Sequence, residues 1–324
     1  MKKSINFIIS NYDHKKRIDV ILVKNLVNYS RNRIQNFIKT NNLKINNLVV
    51  SDPSKKVSYG DKIKLSIPEE KQISLKPYDY DLDIIHEDSD LIVLNKRSGI
   101  SIHPGPGNYE NTVVNALIKH NGKNLSSIGH KFRPGIVHRL DKNTSGLVLI
   151  AKNNFTHNFL AKQFKEHSIE RVYYAIVWGK IRPTHGKIDT LITRSSQNRK
   201  LMEVGIIKGK RAITNYKTIE IFKGNTIPTF SLVECKLETG RTHQIRVHLT
   251  SKGNPILGDK QYKKKFKKLK NIDEEFEDYI KNLDRQLLHA KSITFDHPKD
   301  NKRIKYTSIL PESFNYFLKK LRYI

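Results

Sequence analysis

The stretch from His138 to Lys152 constrains this chain most. A polar segment, His138-Arg139-Leu140-Asp141-Lys142-Asn143, turns at Thr144-Ser145-Gly146 into the apolar run Leu147-Val148-Leu149-Ile150-Ala151. Such a run, entered through a turn, reads as a buried strand. An aspartate fixed between an arginine and a buried strand has a defined position, which a catalytic group needs. A loop aspartate that merely caps the turn is the ordinary alternative.

The 324 residues suffice for a sizeable core in roughly two domains. A formal net charge of +29, from 60 Lys and Arg against 31 Asp and Glu, favours a polyanionic partner, RNA or DNA. Part of the lysine excess accompanies a general richness in Lys, Asn and Ile. The one cysteine, Cys235, has apolar Val233 and Leu237 two residues away and is expected to pack inward. No disulfide can form within the chain, which fits a reducing compartment. The apolar stretch after Met1-Lys2-Lys3 is too short for a signal segment. No run approaches the roughly 20 apolar residues of a membrane span. The expectation is a soluble, cytoplasmic protein without a membrane partner, monomeric by default.

From Arg17 to Pro68, Ile18, Ile21 and Leu22 recur at helical spacing, as do Ile34, Phe37 and Ile38 behind a candidate N-cap, Ser30. Alternation follows in Leu43-Lys44-Ile45-Asn46 and Asp61-Lys62-Ile63-Lys64-Leu65, with a turn at Tyr59-Gly60-Asp61. This predicts two short helices and a small antiparallel sheet over residues 1–70, then a polar linker over 71–82. The polar side of the second helix carries Arg31, Arg33 and Lys39, which could bind phosphate or simply face water.

Residues 83–324 read as one mixed α+β domain. Expected strands include Asp83–His86, Leu91–Leu94, Gly146–Ala151, Tyr173–Trp178 and Phe230–Leu237, and expected helices Thr112–Lys119, Asn154–Phe164 and Leu269–Asn282. The basic run from Lys263 to Lys270 reads as a solvated helix edge. Alternation puts Tyr173 and Tyr174 on opposite faces, so at most one of them can share a site with Asp141. A dense polar cluster, Gly240-Arg241-Thr242-His243-Gln244-Ile245-Arg246, follows a strand and opens an apolar-periodic segment. His243 and His248 are spaced five apart, off one helical face, and no Cys or carboxylate cluster completes a tetrahedral metal site. The His103-Pro104-Gly105-Pro106-Gly107-Asn108 loop has neither a Walker nor a dinucleotide fingerprint. Neither a metal nor a cofactor is expected.

Two resemblances bear on these readings. Arg17-Ile18-Asp19, Ser30 through Ile38, Leu43-Lys44-Ile45-Asn46 and Gly60-Asp61-Lys62-Ile63 resemble the small S4-type RNA-binding module. Asn42 and Asn47 stand where that module often has glycine; asparagine tolerates the left-handed conformation next best. Arg133 through Gly146 resembles the signature of the RluA family of RNA pseudouridine synthases. The other motifs fall in that family's order: Leu94-Asn95-Lys96, His103-Pro104-Gly105, Tyr173, Gly240 through Arg246, Pro255 through Asp259, and Leu288-His289-Ala290. Arg97 stands where the family usually has proline. The N-terminal module and the His103 loop resemble the branch that modifies large-subunit ribosomal RNA.

The resemblance implies an α+β protein: an S4-like domain, then a catalytic domain built on a mixed, mainly antiparallel sheet. It implies isomerisation of uridine to pseudouridine in RNA, without cofactor or metal. Asp141 would be the essential aspartate, attacking the sugar, adding to the base or taking a sugar proton. Arg246 would pair with it, and Tyr173 would stack on the uracil. Arg139, and less directly Arg241, Arg31, Arg33 and Lys39, would hold RNA. The alternatives are a non-catalytic ribosome-assembly factor on the same fold and a glycosidase, which would normally use two opposed carboxylates.

Overall fold

The computed structural model describes residues 3–26, 29, 31–67, 75–105, 108–122, 124–128, 133–224, 228–262 and 274–323. Ser30, residues 71–74 of the expected linker and the basic run 263–270 lie outside them. The chain divides into two units, Met1–Ile73 and Ser74–Ile324.

In the first unit the two apolar-periodic segments form α1 (Ile18–Asn25) and α2 (Arg31–Lys39). They bury Ile18, Ile21 and Leu22, and Ile34, Phe37 and Ile38. These side chains share a core with a four-stranded antiparallel sheet ordered β1 (Lys3–Ile8), β4 (Lys62–Ile67), β2 (Leu43–Ile45), β3 (Leu48–Val50). In β4 the alternation is literal: Ile63, Leu65 and Ile67 are buried, Lys62 and Lys64 exposed. Strand β1 was not expected. It completes the sheet by pairing with β4 from Lys3↔Ile67 to Ile8↔Lys62. Of the two asparagines read as glycine replacements, Asn47 is left-handed at φ 68° and Asn42 is not. Its neighbour Asn41 takes that conformation at φ 61°, while the Asn42 amide donates to the carbonyls of Phe37 and Thr40 at 3.3 and 3.0 Å.

The second unit is built on one large sheet. Its order is β10 (Met202–Gly205), β9 (His185–Arg194), β11 (Lys210–Phe222), β12 (Phe230–Leu237), β8 (Glu170–Trp178), β13 (Leu288–Asp296), β7 (Ser145–Ala151), β6 (Leu91–Lys96), β5 (Ile84–Glu87). Strand β14 (Arg303–Thr307) pairs with β13 off that path. The β13–β7 pair is parallel and the other named pairs are antiparallel. Helices α3 (Val113–Asn121), α4 (Asn154–Lys165), α5 (Gln244–Ser251), α6 (Glu274–Asn282) and α7 (Glu312–Tyr323) complete the described elements. Thr112 and Asn153 cap α3 and α4 by accepting from Asn115 N and Thr156 N.

Every residue of β7 is buried. Leu147 and Leu149 join one apolar cluster, with Leu160, Ile293 and Phe295. Val148 and Ile150 join another, with Ile92, Tyr173, Val233 and Cys235. Burial on both faces accounts for the unbroken apolar run. Gly146 has φ 112°, and a Cβ there would collide with the backbone of Ala290, so glycine lets β7 and β13 approach. The stretch 76–82, read as linker, is fastened to this unit. Tyr78 N donates to the Asn115 carbonyl at 3.1 Å, Asn115 Nδ2 donates to the Lys76 carbonyl at 2.8 Å, and Tyr78 and Tyr80 stack at 5.7 Å.

Candidate active site

Sheet register places the site. In β13, Ala290 pairs with Tyr173 of β8 on one side and with Gly146 of β7 on the other. The loop carrying Asp141 therefore enters the sheet with a single strand, β13, between it and Tyr173. That loop is held at several points. Thr144 N donates to the Asp141 carbonyl at 3.1 Å, closing the turn. Leu149 N donates to His138 Nε2 at 2.8 Å. Burial, reinforced by the Arg171 charge, pulls the His138 imidazole down to about 3, so it is neutral and can accept that bond. Lys96, 2% exposed, donates to the carbonyls of Lys142, Arg97 and Ile100 at 3.0, 2.7 and 3.1 Å. Burial pushes its ammonium down to about 7 against the opposing pull of Asp141. Arg97, in the place of the family proline, points to Asp81 at 2.9 Å and leaves its carbonyl to Lys96.

Opposite this loop, α5 presents Arg246. Its Nη1 donates to Asp141 Oδ2 at 3.0 Å. Its Nε and Nη2 donate to Asp259 at 2.6 and 2.9 Å, and Nη2 also donates to Gln261 Oε1 at 2.7 Å. Asp259 is itself fixed by the backbone N–H groups of Gln261 and Tyr262 at 3.0 and 3.1 Å. Burial works against the Arg246 charge, but the bonds to Asp259 and Asp141 outweigh it and raise its pKa above the usual range. Tyr262 lies under the guanidinium, 4.8 Å from Cζ to the ring centroid. Its hydroxyl meets His243 Nδ1 and accepts from Met202 N, both at 2.7 Å.

His243 starts α5 in the left-handed conformation at φ 56°, with Nε2 3.9 Å from Asp141 Oδ2. A non-glycine residue held there is strained, and such strain collects at functional sites. Burial lowers the His243 pKa, with Asp141 opposing. His248, five residues on, faces elsewhere: it bonds Thr214 and Thr190 at 2.9 and 3.0 Å. Among the described residues no group of three His, Cys, Asp or Glu is placed to hold a metal.

Asp141, Tyr173, Arg246, Arg139, Arg171, Arg241 and His243 line a cleft of about 430 Å³. Among the described residues, Asp141 is the one carboxylate in its wall. An adjoining depression of about 640 Å³ shares Arg139, Asp141, His243 and Arg246 and extends to His103, Arg133 and Gln261. Tyr173 is 6% exposed, and burial raises its hydroxyl pKa with Arg171 opposing. Tyr174 packs against a different apolar cluster. Arg139 is exposed on the lip of both depressions, and Arg241 is exposed with its Nε donating to the Arg211 carbonyl at 3.0 Å.

The structure thus gathers Asp141, Tyr173, Arg246, Arg139 and Arg241. Arg31, Arg33 and Lys39 belong to the first unit, exposed on α2. There the fully buried Asp19 accepts from Arg17, Arg31 and Gln35 at 3.1, 3.0 and 2.7 Å. Burial opposes its charge, but these donors draw its pKa to about 2. Arg31 is thereby pinned, and Arg33 lies over the rings of Tyr29 and Phe37. Sequence reasoning assigned no role to Asp259, Gln261, Tyr262 or Arg171. For Arg171 a signal existed: it is two residues before Tyr173 and so on the same strand face.

Comparison with known proteins agrees with this architecture. Residues 90–251 match the model of the RNA pseudouridylate synthase family, and residues 16–63 match that of the S4 domain. The chain is 40% identical to ribosomal large subunit pseudouridine synthase D of Zymomonas mobilis, over 94% of this chain and 93% of that one. It is 37% identical to an uncharacterized RNA pseudouridine synthase of Bacillus subtilis, over 98% of each. Human RNA pseudouridylate synthase domain containing 1 shares the fold, with a TM-score of 0.55 at 22% identity, over 78% of this chain and 97% of that one. With a catalytic-family match over half its length and close relatives over nearly all of it, the chain belongs to the RNA pseudouridylate synthase family and carries an S4 domain.

Proposed function

We propose that this synthase isomerises specific uridines of large-subunit ribosomal RNA, acting in the cytoplasm as a monomer. Asp141 acts on the uridine, Arg246 positions it, and Tyr173 stacks on the base. The observation that carries the reading is the Asp141–Arg246 contact in a cationic cleft that also holds Tyr173. The ribosomal substrate is supported by the names of relatives such as those from Zymomonas mobilis and Neisseria meningitidis, and by the S4 domain.

The reaction breaks the bond between N1 of uracil and the sugar, turns the base, and joins C5 to the same carbon. A proton leaves C5 and one is gained at N1, so no electrons are exchanged. A uridine in folded RNA must leave its stack to reach a cleft of this kind, at a cost of a few kcal/mol. Stacking on Tyr173 offsets about 1–3 kcal/mol of that. Asp259 is saturated by Arg246 and two backbone N–H groups, so it is not free to act as a second, opposed carboxylate. That disfavours simple glycoside hydrolysis. Asp141 and Arg246 remain in bonding contact, which disfavours an assembly factor that has lost turnover.

The test is to map pseudouridine in large-subunit ribosomal RNA from cells with and without the gene, by carbodiimide adducts that stop reverse transcription. One or more stops that vanish with the gene and return with the wild-type copy are expected. Identical maps, with a stop missing from transfer RNA instead, would overturn the ribosomal assignment.

A further inference from the structure

Arg171 lies on β8 two residues before Tyr173, and the pleat turns both side chains towards the same cleft. It is 7% exposed. Arg246 balances its burial with two carboxylates, but among the described residues no carboxylate lies within ion-pair distance of Arg171. Its Nε is buried without a hydrogen-bond partner. The one bond it makes among the described residues is long, 3.4 Å from Nη2 to the Glu238 carbonyl. Phe164 faces the guanidinium at 5.4 Å. A Cβ on Gly240 would stand 2.8 Å from Nη1, so glycine there keeps the space the guanidinium occupies. Burial lowers its pKa, and Tyr173 is the group that opposes this.

A buried cation without a carboxylate to pair with is costly to the fold. The cleft wall continues past Arg171 through half-buried Phe164 to the exposed Lys165 and His167. We propose that Arg171, with Phe164, Lys165 and His167, forms a subsite for a backbone phosphate of the RNA strand flanking the modified uridine. The inference rests on RNA as the substrate. A guanidinium offers a planar fork of donors that matches phosphate oxygens, and the low-dielectric wall strengthens the contact. The cation that no carboxylate among the described residues pairs with is then paired by the substrate.

The experiment uses the full chain carrying Asp141→Asn, so that RNA binds without turning over. Affinity for ribosomal RNA from cells lacking the enzyme is measured across a salt series, with and without Arg171→Met. Binding one phosphate fewer makes the slope of log affinity against log salt shallower by about 0.7–0.9. With its costly buried charge gone, the Arg171→Met protein should melt no lower than its parent. An unchanged slope would overturn the proposal. So would a lower melting temperature with unchanged binding, which would make Arg171 a structural residue. Should Arg171→Met not fold, Arg171→Lys decides: charge without the fork predicts an unchanged slope and several-fold weaker binding at fixed salt, and full affinity contradicts it. Failure of the Asp141→Asn parent to bind RNA at all would count against the RNA reading itself.

Discussion

Arg246 holds Asp141 at 3.0 Å with Nη1 while Asp259 grips its other edge at 2.6 and 2.9 Å. The acid that faces the cleft is thus oriented by a cation that a second, buried acid orients in turn. Asp259→Ala leaves the Arg246 charge half-answered in a site where it is 5% exposed. Removing one partner of such a buried pair costs about 3–5 kcal/mol. The expected outcome is a clear drop in unfolding midpoint together with a fall in kcat. Asp259→Asn keeps one acceptor and should recover part of both. A variant with normal stability and normal kcat would contradict the positioning role.

Tyr173 divides into a ring and a hydroxyl. Tyr173→Phe keeps the ring, so RNA affinity should stay within a few-fold of wild type. Tyr173→Ala removes the stacking surface, worth about 1–3 kcal/mol, or roughly 5- to 150-fold in affinity. Equilibrium binding of uridine-containing RNA to the two variants tests this. Complete loss of binding in Tyr173→Phe would argue against the stacking role.

Acid should destabilise the catalytic unit through its buried histidines. His289 bonds Ser145 and Ser308 at 2.9 and 2.7 Å, and His248 bonds Thr214 and Thr190. Burial holds them down at about 3 and about 4. Unfolded, each takes up its proton near pH 6.5. Between that pH and the folded pKa the unfolded chain binds more protons, so stability is present above about pH 6.5 and is lost as pH falls. Each group contributes a slope of up to about 1.4 kcal/mol per pH unit. Urea midpoints at pH 7 and pH 5 should differ less in His289→Gln than in wild type, and an equal difference would contradict this assignment.

The S4 unit should add affinity without being needed for the catalytic fold. The second unit has its own apolar clusters. A chain of residues 74–324 should therefore fold and still act on short uridine-containing RNA. Its binding to ribosomal RNA should weaken, with the salt slope shallower by about 0.7–0.9 for each phosphate that the S4 unit would have bound. Undiminished binding would give the first unit another purpose.

Where periodicity was clean, the fold was legible in the sequence. The β7 run, the helices around Ile18 and Ile34, and the helices expected over Thr112–Lys119 and Asn154–Phe164 stand close to where their patterns put them. Strands β9 and β11 were missed because exposed, charged and polar residues break their alternation, and β1 because its apolar stretch is brief. Asp141, Tyr173 and Arg246 were legible through motif order. Asp259 and Arg171 were quoted without roles, since what they do depends on contacts between distant segments: Asp259 with Arg246, Arg171 with Phe164 and Gly240. Asn41 in place of Asn42 is a one-residue shift that only the hydrogen bonds of the turn decide.

The central claim is that Asp141 drives the exchange of a C5 proton for a carbon–carbon bond to the sugar. Tritium release from ribosomal RNA labelled at uridine C5, prepared from cells lacking the enzyme, measures that step directly. The account predicts release with the wild-type protein and none above background with Asp141→Asn, although the variant still binds the RNA. Release that persists in Asp141→Asn, or wild-type protein that binds the RNA yet frees no tritium, would contradict it.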